Sequence, residues 1–111
     1  MNYFTFIPRQ LSLTFFDSDP IQATIPMGDA MDSLLTTMAT DLDAAETLTA
    51  AEAAIYPVLG KKVTDSILSR AEPRDILAVN QLAAYILRQY AAGKEKNLSA
   101  AQLGRQTETG S

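Results

Sequence analysis

The sequence predicts an α+β fold, in which a small N-terminal antiparallel β meander packs on a mainly α-helical C-terminal part. Two observations carry this. Apolar and polar residues alternate at period two up to about residue 26 and recur at three- and four-residue spacing after it. At 111 residues, with 47% hydrophobic and 20% charged residues, the chain is the size and composition of one domain with a packed core. That domain is expected to span residues 1–93, with 94–111 a flexible polar tail that has little to bury.

The meander is read from three segments. Tyr3-Phe4-Thr5-Phe6-Ile7 is aromatic and β-branched, and Leu11, Leu13 and Phe15 alternate with Ser12 and Thr14. Pro8-Arg9-Gln10 is the connection between them. Asp17-Ser18-Asp19-Pro20 is a stronger turn signal, since Asp and Ser side chains bond nearby backbone N–H groups and Pro fixes its own φ. Ile21, Ala23 and Ile25 alternate with Gln22 and Thr24 and form the third strand. So small a sheet needs helices on its apolar face.

Helices follow. After Pro26 and Gly28, Asp29 is placed to cap a helix whose stripe is Met31, Leu34, Leu35, Met38, Leu42 and Ala45. Thr49-Ala50-Ala51-Glu52 has the spacing of a capping box, so a second helix is predicted to start there, limited to two or three turns by Pro57 and Gly60. Thr64 to Leu68 forms another short turn. Pro73 fits the first position of a last helix with Asp75 near its positive end, and this helix is predicted to run to Gly93. Ile76, Val79, Ala83, Ile86 and Tyr90 form its stripe, widened by Leu82 and Leu87, with Asn80 inside it. That arc is wider than one small sheet and short helices should cover, so self-association is expected through Leu82, Ile86, Leu87 and Tyr90, with Asn80 setting register.

Charge is divided along the chain. Residues 10–60 hold eight acidic residues and no lysine or arginine, whereas 61–111 hold eight basic and five acidic ones, a surplus of three positive charges. The division favours charge-complementary packing within the chain or between copies, and it disfavours direct nucleic-acid binding by the front half. No stretch approaches the roughly 18 apolar residues of a membrane span, and a cytoplasmic protein is expected.

Histidine, cysteine and tryptophan are absent, which removes imidazole and thiol nucleophiles, bases and metal ligands. Carboxylate, lysine and hydroxyl chemistry is left. Gly60-Lys61-Lys62-Val63-Thr64 lacks the spaced glycines and Lys-Ser/Thr pair of a phosphate loop. Asp17-x-Asp19 and Asp41-x-Asp43 do not extend into a calcium loop, and there is no Ser-x-x-Lys pair. No catalytic residue, cofactor site or metal site is read from the sequence, and a protein that works by contact is favoured.

The order of parts also resembles a family. A helix ends at Ile55-Tyr56-Pro57-Val58-Leu59-Gly60-Lys61-Lys62, the phrase Asp65-Ser66-Ile67-Leu68 follows, and a terminal helix over Asp75 to Tyr90 opens after Pro73-Arg74-Asp75 and leads into a charged tail. In these features, and in its organisation over residues 3 to 96, the chain is similar to the small tail assembly chaperones of long-tailed bacteriophages. The resemblance implies a non-catalytic protein of the host cytoplasm. Many copies would coat the tape measure protein, keep its apolar helices soluble and recruit tail tube subunits. Two alternatives remain open on the residues alone: an acidic protein imitating nucleic acid, with Asp29, Asp32, Asp41, Asp43 and Glu46 along one helix, and a structural connector of a virion.

Overall fold

In a computed structural model of the chain, residues 10–109 are described, with side chains as far as Glu95. The expected strand Tyr3–Ile7 and its connection through Arg9 lie outside these residues. The sheet described is a two-stranded antiparallel hairpin of β1 (Gln10–Phe15) and β2 (Ile21–Pro26), in register from Gln10 opposite Pro26 to Phe15 opposite Ile21. The alternation holds. Leu13, Phe15 and Ile25 are buried while Ser12, Thr14, Gln22 and Thr24 face water. The connecting Phe16–Pro20 segment turns through positive φ at Phe16 (71°) and Asp19 (52°).

Four helices follow among the described residues: α1 (Asp29–Ala44), α2 (Leu48–Leu59), α3 (Lys61–Leu68) and α4 (Ile76–Thr109). α1 is capped by Gly28 and not by Asp29, which becomes its first residue. At φ 146° Gly28 occupies backbone space that suits glycine, and its carbonyl accepts from the Asp32 N–H at 2.9 Å. Asp29 and Asp32 still sit at the positive end of the helix.

The cap of α2 also differs from expectation. Thr47, not Thr49, accepts the Ala50 N–H at 3.1 Å, so the helix begins at Leu48 and Glu52 does not reach back to a cap. Instead Glu52 lies beside Arg74, which donates to its Oε2 through Nε at 3.1 Å and through Nη2. An arginine partner for a nearly buried carboxylate outweighs one capping contact to a solvated N–H. Pro57 is accommodated inside the last turn of α2, and Gly60 (φ 87°) carries the chain directly into α3.

Asp75, not Pro73, starts α4: its carboxylate accepts the Ala78 N–H at 2.9 Å and its carbonyl the Val79 N–H at 3.2 Å. Pro73 stands outside the helix, after a cis Glu72–Pro73 bond. α4 does not stop at Gly93. Its 34 residues reach Thr109, a length of about 51 Å at 1.5 Å per residue. Gly93 lies under the hairpin instead, where an added Cβ would meet the Met27 Cε at 3.0 Å and the Leu11 Cδ1 at 3.2 Å.

One core joins all six elements, built from Leu13, Phe15 and Ile25 of the hairpin, Met31, Leu35 and Met38 of α1, Ile55 of α2, Leu68 of α3, and Val79 and Ile86 of α4, among others. Three ion pairs tie the acidic front to the basic back: Asp19 to Arg70 (3.2 Å), Glu52 to Arg74, and Asp32 to Lys94 (3.2 Å). The divided charge of the sequence is thus partly used inside the chain.

Candidate functional site

The residues expected to form an intermolecular contact on the last helix separate into two groups. Leu82 (6% exposed), Ile86 (0%) and Tyr90 (6%) belong to the core of their own chain. The physical reason is coverage: β1, α1 and α2 pack on this side of α4, so its arc is wide because it meets three elements. Asn80 is exposed and lies outside the buried stripe, so it sets no register within the core. Leu87 alone of the five is a half-open apolar side chain, at 38% exposure.

Tyr90 has a polar task as well as an apolar one. Its hydroxyl meets the Gly28 N–H (3.2 Å), the Gly28 carbonyl (3.1 Å) and the Asp32 Oδ1 (2.5 Å), and Lys94 donates to both oxygens of Asp32 at 3.2 Å. The Tyr90 bond, then the Lys94 bond, hold the Asp32 carboxyl below its ordinary range, while burial and then Asp32 push the Tyr90 phenol up. This cluster pins the start of α1 to α4. A second polar cluster pins α2 and α3 to the approach of α4, with the Tyr56 hydroxyl donating to Asp65 (3.1 Å) and Arg74 bridging Asp65 and Glu52. Burial, then Asp65, raises the Tyr56 phenol, and the Glu52 bond leads the rise of the Arg74 guanidinium. Each of these groups is occupied by a structural partner.

Two concave regions remain on the surface. The first is an apolar cleft of about 330 Å³ where the end of β1, the end of α3 and the first turns of α4 converge; Phe15, Phe16, Ile67, Leu68, Leu82 and Tyr85 line it. Tyr85 is held there by its hydroxyl, which donates to the Thr14 carbonyl at 2.6 Å, and by its ring against Phe15 at 5.1 Å. Phe16 stands 41% exposed at the rim, in a left-handed conformation uncommon for a bulky residue. Arg70 lies over its ring at 4.7 Å and bonds the Asp19 carbonyl (2.7 Å) and carboxylate (3.2 Å). Sequence reasoning missed this cleft. Its signal was the Phe15-Phe16 pair: at period two, adjacent aromatics cannot both face the core.

The second region is a groove of about 520 Å³ between α1 and α4, with Leu35, Ala39, Leu87, Tyr90 and Ala91 among its lining and the Asp32–Lys94 pair at one end. No group of three or more carboxylates among the described residues is arranged to hold a metal ion. No helix among them is long and apolar enough to cross a membrane. A scan against protein-family models and searches of curated proteins and of solved structures find no match.

Proposed function

We propose that the chain is a non-catalytic binding protein, a phage tail assembly chaperone of the kind its sequence resembles. On this reading it takes apolar side chains of the tape measure protein's helices into the cleft at the hairpin tip, and it recruits tail tube subunits while working in the host cytoplasm. One observation carries the reading: the cleft is apolar, open to solvent, and rimmed by a Phe16 whose backbone conformation is costly for its type. Arg70 covers one face of the Phe16 ring, and the ring stays 41% exposed at the rim of the cleft. A protein that keeps long apolar helices soluble needs such a receiver for aliphatic side chains. The Arg70–Asp19 pair and the Tyr56–Asp65–Arg74 cluster then help to hold the cleft's walls in place.

The test is co-expression with a candidate tape measure protein, followed by light scattering of the soluble fraction. The wild-type chain is expected to keep the partner in solution. Phe16→Asn, which removes the rim aromatic and tolerates left-handed φ well, is expected to leave the fold intact and lose that effect. If the wild-type chain leaves scattering of the partner unchanged, the chaperone reading is refuted.

A further inference from the structure

We infer that the cleft at the hairpin tip selects for positive charge: its occupant is an amphipathic helix that carries lysine or arginine within a turn of two apolar anchors. The inference rests on the reading of the cleft as a receiver for a partner's apolar side chains, and it adds the chemistry by which one segment is taken over another.

The number of anchors follows from size. At about 330 Å³ the cleft has about twice the roughly 150 Å³ that holds a benzene ring in a closed apolar cavity, so it admits two side chains of leucine or phenylalanine size. On a helix such a pair stands at i and i+3 or i+4, with Cβ atoms about 5–6 Å apart.

Charge is decided at the mouth. Arg70 bonds the carbonyls of Ser18 (3.4 Å) and Asp19 (2.7 Å), which draws the hairpin turn against the end of α3. Asp17 directly follows Phe16 of the lining and Glu72 directly follows Ala71, so each begins about 3.8 Å from the rim, Cα to Cα. Both are exposed, and neither is in an ion pair among the described residues. The cation beside them, Arg70, is taken up by Asp19 and the Phe16 ring. Asp17, Asp19 and Glu72 against Arg70 leave the mouth with three negative charges and one positive, net −2. The neighbouring Arg74 is outnumbered in the same way by Glu52 and Asp65. Arg88 is the next cation along α4, and it lies away from the turn. β1 passes from Gly93, at Leu11, to Tyr85, at Thr14, so the turn projects beyond Tyr85 toward the start of the helix. Two unpaired carboxylates beside an apolar receiver favour a cation on the occupant and oppose a carboxylate or a phosphate.

The probes are labelled alanine-rich peptides of about 18 residues, long enough to form helix, titrated with the full-length chain and read by fluorescence anisotropy. One carries leucines at i and i+4 flanked by two lysines, the second the same leucines flanked by two glutamates, and the third the lysines with both leucines replaced by alanine. At low salt the lysine peptide should bind about five-fold tighter than the glutamate peptide, the product of two exposed ion pairs worth roughly two- to three-fold each. About 0.5 M salt should bring the two together. Asp17→Lys combined with Glu72→Lys should reverse the preference. Asp41→Lys combined with Asp43→Lys makes the same change in net charge at exposed positions of α1 outside the cleft, and should leave the preference in place. Far-UV circular dichroism should be unchanged in both. Equal binding of the two leucine peptides, lost for both in Phe16→Asn, would overturn the charge selection and leave the cleft standing as a receiver. Preference for the glutamate peptide, full binding of the peptide without leucines, or an equal effect of the α1 variant would overturn it too. Failure of the chain to bind either leucine peptide would overturn the charge selection and the cleft's role as receiver together.

Discussion

Ile86→Ala separates the two roles that the last helix could have. Ile86 is fully buried and packs with Val79, Leu82, Ala83 and Tyr90 in the one core of the chain. Truncation removes three carbons' worth of apolar burial, about 2.4 kcal/mol at roughly 0.8 per methylene, and the part of the cavity that cannot collapse raises the loss to about 3–4 kcal/mol. In a domain of this size that is a large share of a total of about 5–15 kcal/mol. Urea unfolding followed by circular dichroism is the assay, run at two protein concentrations about fifty-fold apart. With a slope of about 1–2 kcal/mol per molar urea, the midpoint should fall by roughly 1.5–4 M or the variant should unfold outright. The fall should be the same at both concentrations, because an intrachain cavity does not depend on mass action. A loss below about 1 kcal/mol, or one that vanishes on dilution of the wild type, would show that Ile86 is an interface residue and that the packing argued for α4 is wrong.

Further expectations follow from the caps and the polar clusters. Thr47→Ala should cost about 0.5–2 kcal/mol in a urea titration while Thr49→Ala costs almost nothing, because Thr47 alone accepts a helix N–H. Arg74→Met should destabilise more than Asp65→Asn, since only the former strands the nearly buried Glu52, and Glu52→Met combined with Arg74→Met should recover much of the loss. Tyr90→Phe should cost about 1–2 kcal/mol, by leaving Gly28 and Asp32 short of a partner. It should also flatten the acid limb. Asp32 is depressed in the fold, so its stabilisation is present above 3.8, the unfolded value, and lost as pH falls through the folded value; removing the larger cause of the depression shrinks that loss, readable from midpoints above and below pH 3.8.

Much of the fold is legible because its signals are local. Period-two alternation in Leu11–Phe15 and Ile21–Ile25, a turn rich in Asp, Ser and Pro, and the stripe of the first helix each describe a single element and are found where expected, except that Leu34 of that stripe stands 36% exposed. The errors come where two local signals compete or where the deciding contact is distant. Thr47 and Thr49 both precede an apolar run, and Thr49 carries the better box, but Glu52 is drawn to Arg74, twenty-two residues away, which no spacing rule reports. Leu82, Ile86 and Tyr90 read as interface residues because the sum of neighbours available to α4 cannot be counted from one sequence. The cleft is invisible for the same reason: β1, α3 and α4 supply its walls, and its one local trace is a pair of adjacent aromatics.

The ion pairs also decide how far the acidic front can imitate a nucleic acid. A mimic must present carboxylates in a regular row, as a nucleic-acid strand presents one phosphate per about 3.4 Å of helix axis. The sequence places Asp29, Asp32, Asp41, Asp43 and Glu46 along one helix, but α1 ends at Ala44 and leaves Glu46 in the connection beyond it, and Asp32 is bound by Tyr90 and Lys94 and contributes little free charge. Its removal leaves Asp29 separated from Asp41 by twelve residues of α1, about 18 Å, with Thr36 and Thr40 turned back onto the carbonyls of Asp32 and Thr36 between them. The remaining acids therefore form two ends with an uncharged middle. A row of phosphates has no such gap.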